Sequence, residues 1–212
     1  MSTAKPEDRK GGAGGTPERI IQAALATLQR EGYARTTARA IARTGGFNSA
    51  LIFYYFGNLN RLLLAALDEA DAVRLARHQV AFDQAHTADD FVRTALRIYR
   101  EDLESGHIKI FGEMVGASIA NPELRQELAA RAEPWVELIE RTLHRVLAGT
   151  PLDGLPARDL AYAAVTWYLG VNLFSYLDAD RSRIQALFDL AARLSELVGP
   201  IAQLDIGPDQ AH

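Results

Sequence analysis

Apolar residues recur along this chain at three- and four-residue intervals, and no segment alternates with a period of two, so the pattern predicts helices throughout. Ile20, Ile21, Ala24, Leu25 and Leu28 form the first stripe, over 17–31, with Thr16 as a cap and Pro17 at the first helical position. Ala38, Ile41 and Ala42 mark a short second helix over 38–44, capped by Thr36 or Thr37. Gly45-Gly46 then breaks the chain, with Gly45 the expected left-handed residue. The next apolar run, LIFYYF at 51–56, has the propensity of a strand. Its flanks favour a third helix over 48–55: Asn48 or Ser49 can cap it and Gly57 stops it. In that helix Phe56 and Phe53 close a small core, leaving Tyr54 and Tyr55 outside.

The rest of the chain continues in the same register. A long helix over 62–82 follows Asn58, which can cap it. Thr87 and Asp90 form a capping box for a helix over 88–105. Gly106-His107 interrupts, and 108–120 is helical again. Asn121-Pro122-Glu123 opens a helix to Leu147, with a bend expected near Pro134. After a Gly/Pro loop, helices over 158–177 and 182–201 close the chain, the last capped by Asp178 or Asp180. The pattern therefore divides the chain into an arm over 1–15, three short helices over 16–60, a helical body over 61–204 and a frayed tail over 205–212. The fold class is all-α, with about nine helices.

Charge sharpens this division. The 212 residues carry a net charge of −4, but residues 1–61 hold +5 and residues 62–212 hold −9. A basic end on an acidic body is the footprint of a nucleic-acid contact. There are no cysteines, which excludes disulfides, thiolate metal sites and cysteine nucleophiles. No apolar run reaches the length of a membrane span, and MSTAKPEDRKGGAGG has no apolar centre like that of a secretion signal, so a cytoplasmic protein is expected.

The three short helices, the last two joined by a glycine turn, have the layout of a helix-turn-helix, whose second helix enters the major groove by its N-terminal end. The segment TTARAIARTGGFNSALIFYYFGNLNRLLLAAL, 36–67, resembles the N-terminal signature of the tetracycline-repressor (TetR) family of bacterial transcription regulators. The matching features are Thr36-Thr37, Ile41-Ala42, Gly46-Phe47, Ile52-Phe53-Tyr54-Tyr55-Phe56, and Asn58 before a leucine-rich helix. The resemblance implies a homodimer that binds double-stranded operator DNA and a small apolar or amphipathic inducer, most simply as a repressor released by that inducer. It implies that Thr37 and Arg39 approach a phosphate strand. Asn48, Ser49, Ala50 and Leu51 would lie at the groove end of the recognition helix, and Tyr54, Tyr55 and Asn58 would meet phosphates. Asn48 is equally suited to capping its own helix. Ser49, Phe53, Leu59 and Asn60 depart from the family's usual residues: the first three give up polar groups that hold DNA, and Asn60 replaces the usual acid. Arg39, Arg43, Arg61 and the Lys5/Arg9/Lys10 arm could compensate. A helical module that binds a small molecule or a partner and has lost its DNA target is the alternative reading.

In the body, an inducer pocket calls for apolar walls with a few polar groups. Tyr99, His107, Phe111, Met114, Trp135, Ile139, Trp167, Tyr168 and Asn172 are the candidates, with Phe91 and His144 beside them. Asn172 lies on an apolar helix and needs a partner: ligand, neighbouring helix or its own copy across a dimer axis. Leu160, Ala164, Phe174, Ile184, Leu187, Phe188, Ala191 and Leu194 are the candidate dimer surface, forming a four-helix interface from two subunits. No catalytic or metal-ligating residue is assigned and no cofactor is expected. No nucleophile elbow, zinc-protease, P-loop or dinucleotide fingerprint occurs, and Glu104-x-x-His107 stands alone where helical di-metal sites need a pair.

Overall fold

The computed structural model describes residues 15–178, 180 and 182–197, and within them every regular element is helical. The helices are α1 (Thr16–Glu31), α2 (Ala38–Gly45), α3 (Ala50–Phe56), α4 (Leu59–Asp83), α5 (Ala88–Ser105), α6 (His107–Ser118), α7 (Pro122–Val146), α8 (Ala157–Phe174) and α9 (Ser182–Leu197). A short 3-10 turn, Tyr33–Arg35, lies between α1 and α2. The arm over 1–14, the tail from 198 and the expected end of the last helix at 201 lie outside the described residues.

Local chemistry sets most of the boundaries. Thr37 accepts a hydrogen bond from the Ala40 amide, Asn58 from Arg61 and Asn121 from Leu124, each satisfying a donor that a helix start leaves free. Thr87 and Asp90 exchange both bonds of a capping box at the start of α5. Asp180 caps α9 by accepting from the Ser182 amide and hydroxyl. Thr16 is not a cap: Gly15 holds that position and Thr16 is the first helical residue. Pro134 does not end α7, which runs unbroken from Pro122 to Val146.

The glycine turn also works differently from the expectation. Gly46 is the left-handed residue, at φ 67°. Gly45 is the last residue of α2, and a Cβ there would lie 2.1 Å from the Phe47 ring and 2.9 Å from Ala23 Cβ. Gly45 is thus required by the close packing of α1 on the turn, and Gly46 by backbone conformation.

Packing joins the two expected domains. One core cluster combines Ile20, Ala24 and Leu28 of α1, Ile41 of α2, Ile52 of α3 and Leu62, Leu63, Ala66 and Leu67 of α4. The same cluster takes in Ile110 and Met114 of α6 and Leu124 and Leu128 of α7. The boundary expected at residue 60 is therefore crossed by continuous apolar contact. A second cluster, around Phe82, Ile98, Leu138, Ile139 and Ala161, and a third, around Tyr99, Val171, Ile184 and Phe188, fill the body.

α4 belongs to both halves. Its first turns carry Leu62 to Leu67 into the shared core. Its later turns carry Asp71, Arg74, His78 and Phe82 into the body, along one helical face. At a rise of about 1.5 Å per residue, the helix spans roughly 37 Å.

Candidate functional site

The first candidate surface is the end of α2, the turn and α3. Ile52 points inward and is fully buried, while Leu51, Phe47, Phe56 and Leu59 pack partly against the shared core. The remaining aromatics of α3 point out: Phe53 is 52% exposed, Tyr54 79% and Tyr55 43%. Phe53 does not close the core as expected. In a helix of only seven residues, the face carrying Ile52 and Phe56 is turned inward and residue 53 falls off it. The Tyr54 and Tyr55 rings meet edge to face at 4.9 Å, which holds two adjacent hydroxyls in a fixed relation.

Around them lie the other sequence candidates. Thr37, Arg39, Asn48, Ala50 and Asn58 are exposed, and Ser49 and Leu51 are half-buried. Asn48 lies one residue before Ser49, the cap position of α3, and its carboxamide oxygen accepts from the Ala50 amide at 2.9 Å. Thr37 and Asn58 use their side-chain oxygens as caps. The amide-bearing starts of α2, α3 and α4 are therefore already shaped by these side chains. Arg43, largely exposed, reaches Glu31 at 3.6 Å, and Arg30 bonds both Glu31 and Thr44. Leu59 packs inward, so its replacement of a polar residue adds apolar contact to the core rather than leaving a gap at the surface.

The second candidate is a cavity of about 120 Å³ in the body, lined by residues of α4, α5, α6, α7 and α8. His107, Phe111, Trp135, Ile139, Trp167 and Tyr168 line it, as does Phe91. Three of the expected lining residues do not. Met114 lies fully buried in the shared core, Tyr99 packs on Phe188 in the third cluster, and Asn172 is buried behind the wall. Asn172 Nδ2 donates to the Tyr168 carbonyl one helical turn earlier, while its Oδ1 has no partner among the described residues. His144 is exposed on α7.

The cavity wall contains a polar cluster that sequence spacing did not reveal. Arg74 donates to Asp102 through Nε at 3.2 Å and Nη2 at 2.7 Å, and to Asp71 through Nη1 at 2.9 Å. The Tyr168 hydroxyl donates to Asp102 at 2.8 Å. His107 Nε2 lies 2.9 Å from Asp71 Oδ1, and because an ionised carboxylate only accepts, the imidazole donates. Arg74 also covers the Trp135 ring at 4.9 Å, a cation–π contact. Asp102 is nearly fully buried, so its charge depends on these donors. Burial, and then the adjacent Asp102 charge, push the Tyr168 phenol well above its usual pKa, which keeps it a donor.

His78 completes the wall. It is buried, its ring lies 5.5 Å from Trp135, and its Nε2 has no partner among the described residues. Burial lowers its pKa to about 4, against the weaker opposing pull of Asp102, so near neutrality the ring is uncharged. The contacts joining positions 74, 102 and 168 span 28 and 66 residues, so no local pattern could have announced them. The one sequence-level signal was an acid and a base on the otherwise apolar inner face of α4.

The third candidate is the outer face of α8 and α9. Phe174, Leu187 and Leu194 are exposed, as are Leu177, Leu190 and Leu197. Ile184 and Phe188 are not part of that face; they are buried against Tyr99 and Val171 within the subunit. Leu160 and Ala164 pack against the second core, and Ala191 is half-buried. Two faces of α9 are apolar, and the subunit's own core claims the one carrying residues 184 and 188.

Among the described residues, no single helix is long and apolar enough to cross a membrane.

The model of bacterial regulatory proteins of the tetR family matches residues 20–66. The HTH-type transcriptional regulator BetI of Stenotrophomonas maltophilia is 27% identical over 174 residues, covering 78% of this chain and 86% of BetI. Among solved structures, the transcriptional regulator FadR of Bacillus subtilis in complex with stearoyl-CoA superposes with a TM-score of 0.62 at 17% identity, covering 87% of this chain and 98% of FadR. The multidrug binding protein EbrR complexed with proflavin superposes with a TM-score of 0.60 at 20% identity, covering 86% of this chain and 98% of EbrR.

Proposed function

We propose that the chain is a DNA-binding transcriptional regulator of the tetR family, whose model matches residues 20–66, and that it is a repressor released from its operator by a small molecule entering the body cavity. The observation that carries this reading is the placement of α4. One end of the helix is built into the core of α1, α2 and α3, and the other end forms the cavity wall with Asp71, Arg74 and His78.

On this reading, Tyr54 and Tyr55 offer hydroxyls to phosphates, Thr37 and Arg39 approach the same backbone, and Asn48 to Leu51 reach the groove. A second subunit docks on the exposed apolar face of α8 and α9, where Phe174, Leu187 and Leu194 would otherwise stay in water. The pair of reading heads then meets two half-sites. Cavity ligands can act on the heads along α4, and also along α6, which contributes His107, Ile108 and Phe111 to the wall. Glu113, on the same helix, accepts a hydrogen bond from the Tyr33 amide at the turn after α1. A ligand that binds better when these helices are displaced weakens operator affinity by the same free-energy difference. FadR and EbrR, solved with bound small molecules, support a ligand role for the body.

Titration of the purified protein onto the DNA flanking its own gene, across a salt series, tests the DNA half of this reading. A specific complex is expected, with affinity falling steeply as salt rises. Replacing both tyrosines, Tyr54→Phe with Tyr55→Phe, removes only the hydroxyls and should weaken the complex by about 100-fold or more, at about 1.5–3 kcal/mol for each bond to a charged group. Absence of any complex at low salt would instead support a helical module that binds a small molecule without a DNA target.

A further inference from the structure

The polar atoms of the cavity wall carry a sign. Its charged side chains are two acids, Asp71 and Asp102, and one base, Arg74, with His78 uncharged. The lone permanent cation is already engaged: three Arg74 N–H groups bond the two carboxylates and its face covers Trp135. An anion entering here would face two carboxylates and would have to draw Arg74 from them. A cation would instead be drawn to the two carboxylates behind an otherwise apolar lining, and Asp71, the less buried of them, is the one nearer to reach.

Size narrows the choice further. The space is about 120 Å³. A cavity of about 150 Å³ lined by apolar side chains accepts a benzene ring. Apart from the polar cluster the lining is apolar, with Phe82, Phe91, Phe111, Trp135 and Trp167 supplying ring faces that suit an aromatic ligand and a cation alike.

We propose that the cavity selects small aromatic amines, a single ring bearing a protonated nitrogen, over aromatic carboxylates of the same size, with Asp71 and Asp102 as the groups that set this preference. The proposal rests on the reading of the cavity as the inducer site and names the class of inducer. It sets this chain apart from a regulator that takes an anionic acyl-CoA, as FadR does, despite the shared fold.

Both tryptophans of the chain, Trp135 and Trp167, line the cavity, so intrinsic tryptophan fluorescence reports its occupancy directly. The experiment titrates the full-length protein with benzylamine, benzyl alcohol and benzoate, which share one ring and differ in charge. Calorimetry on the same solutions guards against quenching without binding. Benzylamine is expected to bind at least 10-fold more tightly than benzoate, with benzyl alcohol between them. Asp71→Asn, at the less buried of the two carboxylates, should reduce the ratio between amine and carboxylate about 10-fold. Benzoate binding as tightly as benzylamine would overturn the charge preference and leave the cavity reading standing. No binding by any of the three, in fluorescence or calorimetry, would overturn the cavity reading and the proposal with it. An Asp71→Asn protein that folds normally but keeps the full ratio would remove Asp71 from the account.

Discussion

Aromatic side chains gather in two places in this molecule, and their surroundings are opposite. On α3, Phe53, Tyr54 and Tyr55 stand in solvent on a helix of seven residues held by a single fully buried anchor, Ile52. In the body, Phe82, Phe91, Trp135 and Tyr168 close around a cavity whose few polar atoms are almost all paired with one another. Exposed aromatic hydroxyls gain nothing from folding and await an external partner. Enclosed ones contribute to stability and are fixed by it. The first surface therefore depends on a partner for its energy, whereas the second stores energy that a ligand has to redistribute. α4 and α6 pass from one to the other through a common core, so neither can move far alone.

The comparison breaks most sharply at Asp102. Asp102→Ala leaves Arg74 and the Tyr168 hydroxyl without their shared acceptor, and removing one partner of a buried pair costs about 3–5 kcal/mol. Urea unfolding should register that loss. Tyr54 and Tyr55 lie outside the cluster, so the variant, where still folded, should bind operator nearly as the parent does. Equal loss of DNA affinity would show that the cavity cluster holds the reading head as well as the body.

Acid titration attacks the same region more gently. The His78 pKa is depressed to about 4 in the folded protein, from an ordinary value near 6.5, because burial disfavours its charged form. The unfolded chain therefore takes up a proton that the folded one refuses. Stability is full above about pH 6.5 and falls as the pH drops toward 4, by on the order of 3 kcal/mol for this group. His78→Phe, which keeps a ring against Trp135, should flatten that part of the stability profile. A profile unchanged in the variant would place the acid sensitivity elsewhere.

The smallest effect is expected at the seam between the two regions. Glu113→Gln keeps an acceptor for the Tyr33 amide but loses its charge, at a cost of about 1 kcal/mol. Its value lies in coupling: a cavity ligand should still bind, yet lower operator affinity less than in the parent protein. Full retention of the ligand effect would remove the Glu113–Tyr33 bond from the route and leave the shared core to carry the coupling.

How far the sequence reaches differs between these regions for a physical reason. Caps at Thr37, Asn58, Thr87 and Asn121 are bonds across three residues, so the sequence pattern that predicts them also contains them. The helix boundaries and the helix-turn-helix layout follow from such local bonds and from apolar periodicity. Phe53 shows the limit: in so short a helix, a small rotation decides which ring is covered, and only packing on α1 and α4 sets it. The body shows the limit more strongly. His107, Phe111, Trp135, Ile139, Trp167 and Tyr168 could be named as cavity residues from their chemistry, but so could Met114, Tyr99 and Asn172, which face elsewhere. On α9, Ile184 and Phe188 read like the residues of an outer face and turn inward.

By itself, then, the sequence determined an all-helical chain, most of the places where its helices begin, and a basic N-terminal part bearing the signature of a regulator's reading head. Those properties depend on neighbours three or four residues away. Only the tertiary structure decided that Arg74, Asp71, Asp102, His107 and Tyr168 meet, that one core runs through the expected boundary, and that Gly45 is held by Phe47 and Ala23. Each of those depends on helices far apart in the chain being pressed together by apolar burial, which fixes polar partners only after it has chosen which faces to cover.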